Sequence, residues 1–247
     1  MKRLLLSTLA ACSLLSAFSA RAITADEIIA RHIEARGGMT NLQALESLKR
    51  TGRLVLPGAN FEIAATELRM RPGEIRQEFT LQGMTAVAAY DGHEAWQIQP
   101  FEGRKDPERM PADQAKPLAL AADLDFPLVD YKAKGARVEY LGLEEVDGTP
   151  AHKLRVALAS GDEVTYFVDP DTWMIIRDVQ KREVRGAEDI TETDYGDYEK
   201  VQGVWVPMTE ATGPVGVDQA KKQQIVYDHV EGNVAIDASV FAFPGSK

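Results

Sequence analysis

Apolar and polar residues alternate along most of the chain, as in strands that bury one face. In 74–81 every second residue is Ile, Gln, Phe or Leu, and the residues between them are charged or carry a hydroxyl group. Turn sequences such as Pro57-Gly58 and Asp91-Gly92 separate these segments. The pattern predicts strands over 50–56, 61–71, 74–81, 84–90, 95–98, 137–146, 151–158, 163–168, 173–184, 190–199, 204–212 and 221–231.

Helical patterns occur at two places. Thr24 and Glu27 form a capping-box sequence before the first helix, which Gly37-Gly38 ends, and Thr40 and Gln43 repeat the signal before the first strand. Midway along the chain, 101–111 is charged and irregular. Beyond it we expect short helical stretches over 113–123 and 126–134, each interrupted by a proline.

These elements predict a mainly β protein of the α+β class. About 11–12 strands joined by tight turns form an antiparallel sheet, and a sheet of that size curls to bury one face. The short helices are then expected to act as a lid over the concave side. We therefore expect an incomplete barrel with an apolar cavity beneath the helices.

The N-terminus has the pattern of an export signal. Met1-Lys2-Arg3 precedes an apolar run of about 16 residues, shorter than the roughly 20 that a membrane span needs, and Ala20-Arg21-Ala22 forms an A-x-A cleavage site. Cleavage after Ala22 predicts a periplasmic protein without a transmembrane segment. The alternative is lipidation at Cys12, because Leu9-Ala10-Ala11-Cys12 is similar to a lipobox.

Cleavage after Ala22 also changes the composition. Residues 1–22 carry three cations and no anions, so 25 basic residues would face 38 acidic ones, a formal charge of −13. So acidic a chain repels phosphate backbones, which excludes nucleic acid as an expected partner. The only cysteine, Cys12, would be lost, leaving no thiol nucleophile and no disulfide.

The rest of the chain offers no sequence pattern of a catalytic or metal site. Its four serines lie outside any Gly-x-Ser-x-Gly motif, its four histidines are isolated, and no glycine-rich phosphate loop is present. Asp169 with Asp171 suits a turn, and Asp194 with Asp197 suits a strand. We expect neither an enzyme nor a cofactor or metal site, although a hydrolase using Asp194 and Asp197 is a weaker alternative.

Three segments give the chain a family resemblance: 90–98 (YDGHEAWQI), 166–173 (YFVDPDTW), and 195–198 (YGDY) followed by 203–207 (GVWVP). With the opening helix and Gly37-Gly38, they resemble the outer-membrane lipoprotein-sorting proteins, relatives of the lipoprotein carrier LolA. The resemblance covers essentially all of 23–247 and implies a single half-barrel domain. In this family helices close a hydrophobic cavity that holds acyl chains.

The resemblance and the apolar faces together suggest site residues. Arg50 and Arg53 are candidates for an arginine that ties down the lid. Thirteen residues are expected to face the cavity: Leu54, Leu56, Phe61, Ile63, Phe79, Met84, Trp96, Ile98, Leu118, Leu120, Leu124, Phe126 and Leu128.

The expected function is that of a periplasmic carrier or chaperone. It would bind lipid or the acyl chains of a lipoprotein for transfer toward the outer membrane, together with envelope transport partners. The alternative is an envelope scaffold or sensor domain whose own side chains fill the core. A large empty apolar cavity favours the carrier, and a fully packed interior favours the scaffold.

Overall fold

The computed structural model describes residues 23–245; the predicted export signal and Cys12 lie outside this range. Three α-helices are present: α1 (Ala25–Arg36), α2 (Gly38–Ala44) and α3 (Ala112–Ala121). The predicted capping box is confirmed, since the Thr24 hydroxyl accepts from the Glu27 amide and the Glu27 carboxylate accepts from the Thr24 amide. Three short 3-10 turns span Pro100–Glu102, Gln219–Lys221 and Ala238–Val240.

The described chain forms fifteen strands. They are β1 (Ser47–Val55), β2 (Glu62–Met70), β3 (Glu74–Leu81), β4 (Met84–Tyr90), β5 (Ala95–Gln99), β6 (Arg104–Arg109), β7 (Arg137–Val146), β8 (Thr149–Ala157), β9 (Glu163–Val168), β10 (Ile175–Val184), β11 (Ala187–Gly196), β12 (Glu199–Val201), β13 (Val204–Val206), β14 (Thr209–Gly213) and β15 (Gln223–Gly232).

Thirteen of these strands form one antiparallel sheet. Their order is β6-β5-β4-β3-β2-β1-β15-β14-β11-β10-β9-β8-β7, so most neighbours in space are neighbours in sequence. The chain closes the middle of the sheet last, when β15 pairs with β1 on one side and β14 on the other. The sheet is curled and has two free edges, which confirms the predicted incomplete barrel with short helices.

The structure corrects the prediction in four segments. The strand predicted over 190–199 ends at Gly196, and Glu199 begins the separate strand β12. Residues 101–111, predicted to be irregular, include the edge strand β6. Residues 126–134 form turns instead of a helix, because Phe126 and Asp130 have φ of +63° and +51°, values that a right-handed helix excludes. The predicted strand 204–212 is two strands, β13 and β14, and β13 pairs with β12 in a separate hairpin.

All three helices pack on one face of the sheet, which we call the inner face. Helix α1 covers β7–β10, where Ile28 and Ile29 join buried residues such as Leu154 and Tyr166. Helix α2 and the β12-β13 hairpin cover β1 and β15. At Gly37, between α1 and α2, a Cβ would lie 2.1 Å from the Gly203 carbonyl oxygen, so only glycine permits this close approach of the hairpin.

Helix α3 packs on the inner face of β3, β4 and β5. The contact is built from small side chains: Ala115 and Ala122 of the helix segment meet Ala95 and Ile75 of the sheet, with Leu118 as the one large residue from the helix. Alanine buries little apolar area, so this interface stabilises α3 less than the leucine- and isoleucine-rich contacts stabilise α1.

The opposite, outer face of the sheet is partly covered by the end of the chain. Trp96 lies there, 1% exposed, and its indole N–H donates to the Phe241 carbonyl at 2.7 Å. The rings of Trp96 and Phe243 meet edge to face at 6.4 Å. Residues 238–245 therefore form a small core of their own on this face, away from the helices.

Candidate functional site

A buried network of charges occupies the middle of the inner face. Arg50 on β1 and Glu67 on β2 are paired by the strand register, and Arg50 Nη2 lies 2.7 Å from Glu67 Oε1. Arg69 Nε donates to the same oxygen at 2.7 Å, and Arg50 Nη1 reaches Glu210 Oε1 on β14 at 2.8 Å. Two cations and two anions thus balance in one cluster, which buried charge requires.

The network holds its charges in the ionised form. Burial opposes ionisation of Glu67, but the charges of Arg50 and Arg69 outweigh it and hold the pKa of that carboxyl well below its usual range. The Arg50 guanidinium also lies 3.8 Å from the Tyr227 ring centroid and donates to the Pro207 carbonyl at 2.9 Å. Arg50 therefore joins strands β1, β2, β14 and β15 across the centre of the sheet.

A second carboxylate on the same face, Asp178 on β10, forms no ion pair with another residue of 23–245, although Arg182 lies near enough to favour its charged form. Asp178 is 2% exposed and accepts a hydrogen bond from the Tyr195 hydroxyl at 2.7 Å. The Gln180 amide donates more weakly, at 3.3 and 3.4 Å. Burial raises the pKa of the Asp178 carboxyl to about 7, and these hydrogen bonds offset that effect only in part.

Two cavities adjoin between α3 and the inner face, and Leu120 and Gln180 line both. The first, which we call the apolar cavity, has a volume of about 220 Å³ and is lined by Lys116, Ala119, Leu120, Leu158, Ser160, Asp162, Glu163, Val164, Gln180, Lys181 and Arg182. The second, the polar cavity, has about 110 Å³ and is lined by Arg69, Pro117, Leu120, Ala121, Asp123, Phe126, Pro127, Tyr166, Asp178, Gln180, Thr193, Tyr195, Glu210 and Thr212.

Charged residues form the outer rim of the apolar cavity. Lys116 of α3 and Asp162 of the β8-β9 turn lie 2.7 Å apart and bridge the helix to the sheet. Beside them, a surface depression of about 590 Å³ continues the opening toward Gly186 and Glu188. The apolar cavity is thus reached from solvent between α3 and the β8-β9 and β10-β11 turns.

The thirteen residues predicted to face a cavity fall into several groups. Leu120 lines both cavities and Phe126 lines the polar one. Leu118, Leu124 and Leu128 are buried in the cores beneath the helices. Trp96 and Ile98 lie on the outer face, opposite the helices.

The remaining six of these predicted residues lie near the β1-β2 and β3-β4 turns. Leu54, Ile63, Phe79 and Met84 share the inner face there, as the strand register requires. Ile63 is the most buried of these four side chains, 8% exposed, and Met84 is the most exposed, at 40%. Leu56 follows β1 and is half-buried, and Phe61 is 46% exposed in the β1-β2 turn.

The two candidate lid arginines lie on opposite faces. Arg50 is in the buried network, whereas Arg53 is on the outer face and pairs with Glu62 and Asp228. Within 23–245, no hydrogen bond or ion pair joins either arginine to a helix. Their tethering role stays a prediction.

A residue that the sequence analysis did not single out, Arg71, does contact a helix. It follows β2, and its guanidinium donates to the Leu42 carbonyl of α2 at 2.8 Å and to the Leu45 carbonyl at 2.9 Å. Two further bonds of 2.7 Å reach the Asp125 carboxylate, in the segment after α3. Arg36 of α1 donates to the Asp125 carbonyl, so all three helical regions meet here. No local sequence pattern indicates this meeting point.

Two findings concern metals and membranes. Within residues 23–245 no group of three histidine, cysteine or acidic side chains is arranged to hold a metal ion. No helix in that range combines the length and the apolar character that a membrane span requires.

Several solved structures share this architecture. An outer membrane lipoprotein-sorting protein domain from Vibrio parahaemolyticus superposes with a TM-score of 0.57 at 12% identity, covering 87% of this chain and 94% of its own. A DUF1329 family protein from Desulfovibrio piger gives 0.59 at 11% identity, and a LolA superfamily protein from Nitrosomonas europaea gives 0.57 at 13%; each comparison covers 90% of this chain and 98% of the other.

The sequence itself has no such match. No family model matches the chain, and no curated protein matches it. The likeness to these structures therefore concerns the arrangement of the sheet and helices. On that arrangement, the predicted resemblance is confirmed at the level of the fold: this chain has a LolA-like fold.

Proposed function

We propose that this protein is a periplasmic carrier or chaperone, and not an enzyme, that binds an acyl chain of a lipid or lipoprotein beneath α3. The observation that carries the proposal is the apolar cavity between α3 and the inner face, with its opening toward solvent. The names of two structural neighbours, a lipoprotein-sorting domain and a LolA superfamily protein, support the same function. Its partners would be other envelope transport proteins.

A long acyl chain needs more space than the apolar cavity offers, so α3 has to move when such a chain binds. Each buried methylene is worth about 0.8 kcal/mol, so a sixteen-carbon chain is worth about 12 kcal/mol gross. A cavity of about 220 Å³ is smaller than most small-molecule sites, which have about 300–1,000 Å³. Because α3 packs on β3–β5 largely through alanines, its displacement costs less than that of α1, which buries Ile28 and Ile29.

The alternative, an envelope scaffold or sensor with a self-filled core, has its own supporting observation. The space beneath α1 and α2 is filled by side chains such as Ile28, Leu42 and Leu128, which are at most 1% exposed. A scaffold requires no ligand, so ligand binding separates the two functions.

The test fills the apolar cavity with a larger side chain of the protein itself. In Leu120→Trp, the larger side chain occupies the space that an acyl chain would take, and we expect binding of a fluorescent acyl probe with an uncharged head group to weaken at least about tenfold, the equivalent of about 1.4 kcal/mol. The matched control is Leu143→Trp on the edge strand β7, where Leu143 is 60% exposed. If the wild-type protein binds no acyl probe, the carrier function is excluded and the scaffold remains. If both variants bind the probe equally well, the apolar cavity is excluded as the binding site.

A further inference from the structure

Among the charged side chains of 23–245 that line the two adjoining cavities, all but one have an ion-pair partner. Each cation that lines them is in an ion pair: Arg69 with Glu67, Lys116 with Asp162, Lys181 with Glu188, and Arg182 with Asp189. Of the acids that line them, Asp123, Asp162, Glu163 and Glu210 each lie within 4.0 Å of a cation. Within 23–245, Asp178 is the lining acid without an ion-pair partner.

The neighbouring side chains do not use the full hydrogen-bonding capacity of the Asp178 carboxylate. Tyr195 donates to Asp178 Oδ2, whereas the Gln180 contacts are long. The neighbouring Tyr166 is 1% exposed, and its hydroxyl makes no hydrogen bond within the described part of the chain. A carboxylate accepts through two oxygens with about four lone-pair sites, so Asp178 can accept more than it does here.

The apolar cavity lies beside the polar cavity that this carboxylate lines. Leu120 and Gln180 line both spaces and separate them, so a molecule lying along Leu158 and Val164 would reach the polar cavity that Asp178 lines once these two side chains move aside. The polar cavity, about 110 Å³, exceeds the roughly 30 Å³ that one water molecule takes. A compact polar head group therefore fits at the end of an aliphatic chain.

From this geometry we infer that the ligand is an amphiphile with a cationic amine, whose ammonium group pairs with Asp178 while its aliphatic chain occupies the apolar cavity. The inference rests on the proposed function and specifies its ligand class. An anionic head group is disfavoured, because the cations around the cavities are already paired and Asp178 would repel it.

The ionisation of Asp178 makes this binding dependent on pH. Without a cation its carboxyl has a pKa raised by burial to about 7, so it is largely protonated in mild acid. An alkylamine stays charged throughout this range because amines of this type titrate near 10. Amine affinity is therefore expected to increase as the pH rises through about 7. The titratable and charged groups that surround Asp178 are Tyr166 of β9, Arg182 of β10, Tyr195 of β11, Glu210 of β14, Arg69 of β2 and Asp123 after α3.

The experiment compares three probes of equal chain length: decylamine, decanol and decanoate. Their binding to the protein purified from cells that express the full chain is measured by calorimetry, below the concentrations at which they aggregate, at about pH 8.5 and about pH 5.5. We expect decylamine to bind at least about tenfold more tightly than decanol at the higher pH. The preference should decrease at the lower pH and disappear in Asp178→Asn, which keeps the shape of the side chain.

The matched control is Asp106→Asn, which removes one exposed charge on β6 and should leave the preference unchanged. If none of the three probes binds the wild-type protein, the proposed function fails and the inference fails with it. If decanol or decanoate binds as tightly as decylamine, or Asp178→Asn keeps the preference, the carrier stands and the amine inference is overturned. A circular dichroism spectrum confirms that each variant is folded.

Discussion

The inner face of the sheet carries buried charged residues as well as apolar ones. Alternation in the sequence predicts which positions face inward. It does not indicate why three of the inward-facing residues, Arg50, Glu67 and Asp178, are charged. Arg50 and Glu67 find each other because β1 and β2 pair in register. Asp178 forms no ion pair with another residue of 23–245, and its carboxyl keeps a raised pKa. The first group is satisfied by its ion pairs, whereas the Asp178 carboxylate can accept further hydrogen bonds.

His32 in α1 is expected to make the protein sensitive to acid. It is 1% exposed; its Nδ1–H donates to the Trp173 carbonyl at 2.8 Å, and its buried Nε2 has no partner in 23–245. Burial lowers the pKa of this imidazole to about 3. Because the unfolded chain takes up the proton near pH 6.5, stability is lost as the pH falls from there toward 3, by at most about 1.4 kcal/mol per pH unit.

His32→Asn tests this expectation, because asparagine keeps a donor for Trp173 and does not titrate. We expect the wild-type free energy of unfolding in urea to fall more steeply between about pH 6.5 and 4.5 than that of the variant. His93→Asn, at an exposed turn, is the control. Parallel pH profiles for wild type and His32→Asn would show that this histidine is not the source of acid sensitivity.

At the scale of elements, Arg71 is expected to hold α2 and the segment after α3 against the sheet. Its bonds to the Leu42 and Leu45 carbonyls and to the Asp125 carboxylate are lost in Arg71→Met. Hydrogen bonds with a charged partner are worth about 1.5–3 kcal/mol when buried, and this side chain is 26% exposed, so we expect a loss of about 1–3 kcal/mol.

Hydrogen exchange localises the effect. The amides of α2 should exchange faster in Arg71→Met, while those of β8 and β9 remain protected. Arg71→Lys should recover only part of the protection, because an ammonium group cannot reproduce the planar fork. The control, Arg137→Met, removes an exposed arginine on the edge strand β7. Unchanged exchange in α2 would show that Arg71 does not hold the helix.

Strands were more predictable than the helical insert for a physical reason. A strand that buries one face leaves a period of two in the sequence, so β3 and β4 could be placed to the residue. Strand β6 lacks that signal because it is a charged edge strand with no face to bury. The segment 126–134 imitates a helix in composition, but Phe126 and Asp130 adopt positive φ, which composition does not reveal.

The candidate site could be predicted only in part. Leu120 and Phe126 border the cavities, whereas Trp96 and Ile98 lie on the other face. The turn between β4 and β5 fixes which residues of β5 face inward, and the alternation of β5 alone is compatible with either face. Asp178 depends on contacts between β9, β10 and β11, which no local pattern encodes.

At the scale of the whole molecule, an open curled sheet gives a carrier two useful properties. The sheet is a continuous hydrogen-bonded layer from β6 to β7, in which each strand is held by its neighbours through backbone hydrogen bonds. The helices, by contrast, contact it through side chains, and α3 does so through small ones. A hydrogen-bonded layer with one weakly packed helix allows a ligand to enter without unfolding the sheet.

The central claim, that the cavity beneath α3 carries a lipid, is tested most directly by native mass spectrometry. The full chain is expressed with its N-terminal segment, purified gently from the cell envelope and examined for co-purified lipid. The account predicts a stoichiometric acyl-bearing ligand that is lost in Leu120→Trp and retained in Leu143→Trp. A protein that is always empty and takes up no added lipid would contradict the claim and leave a self-filled scaffold.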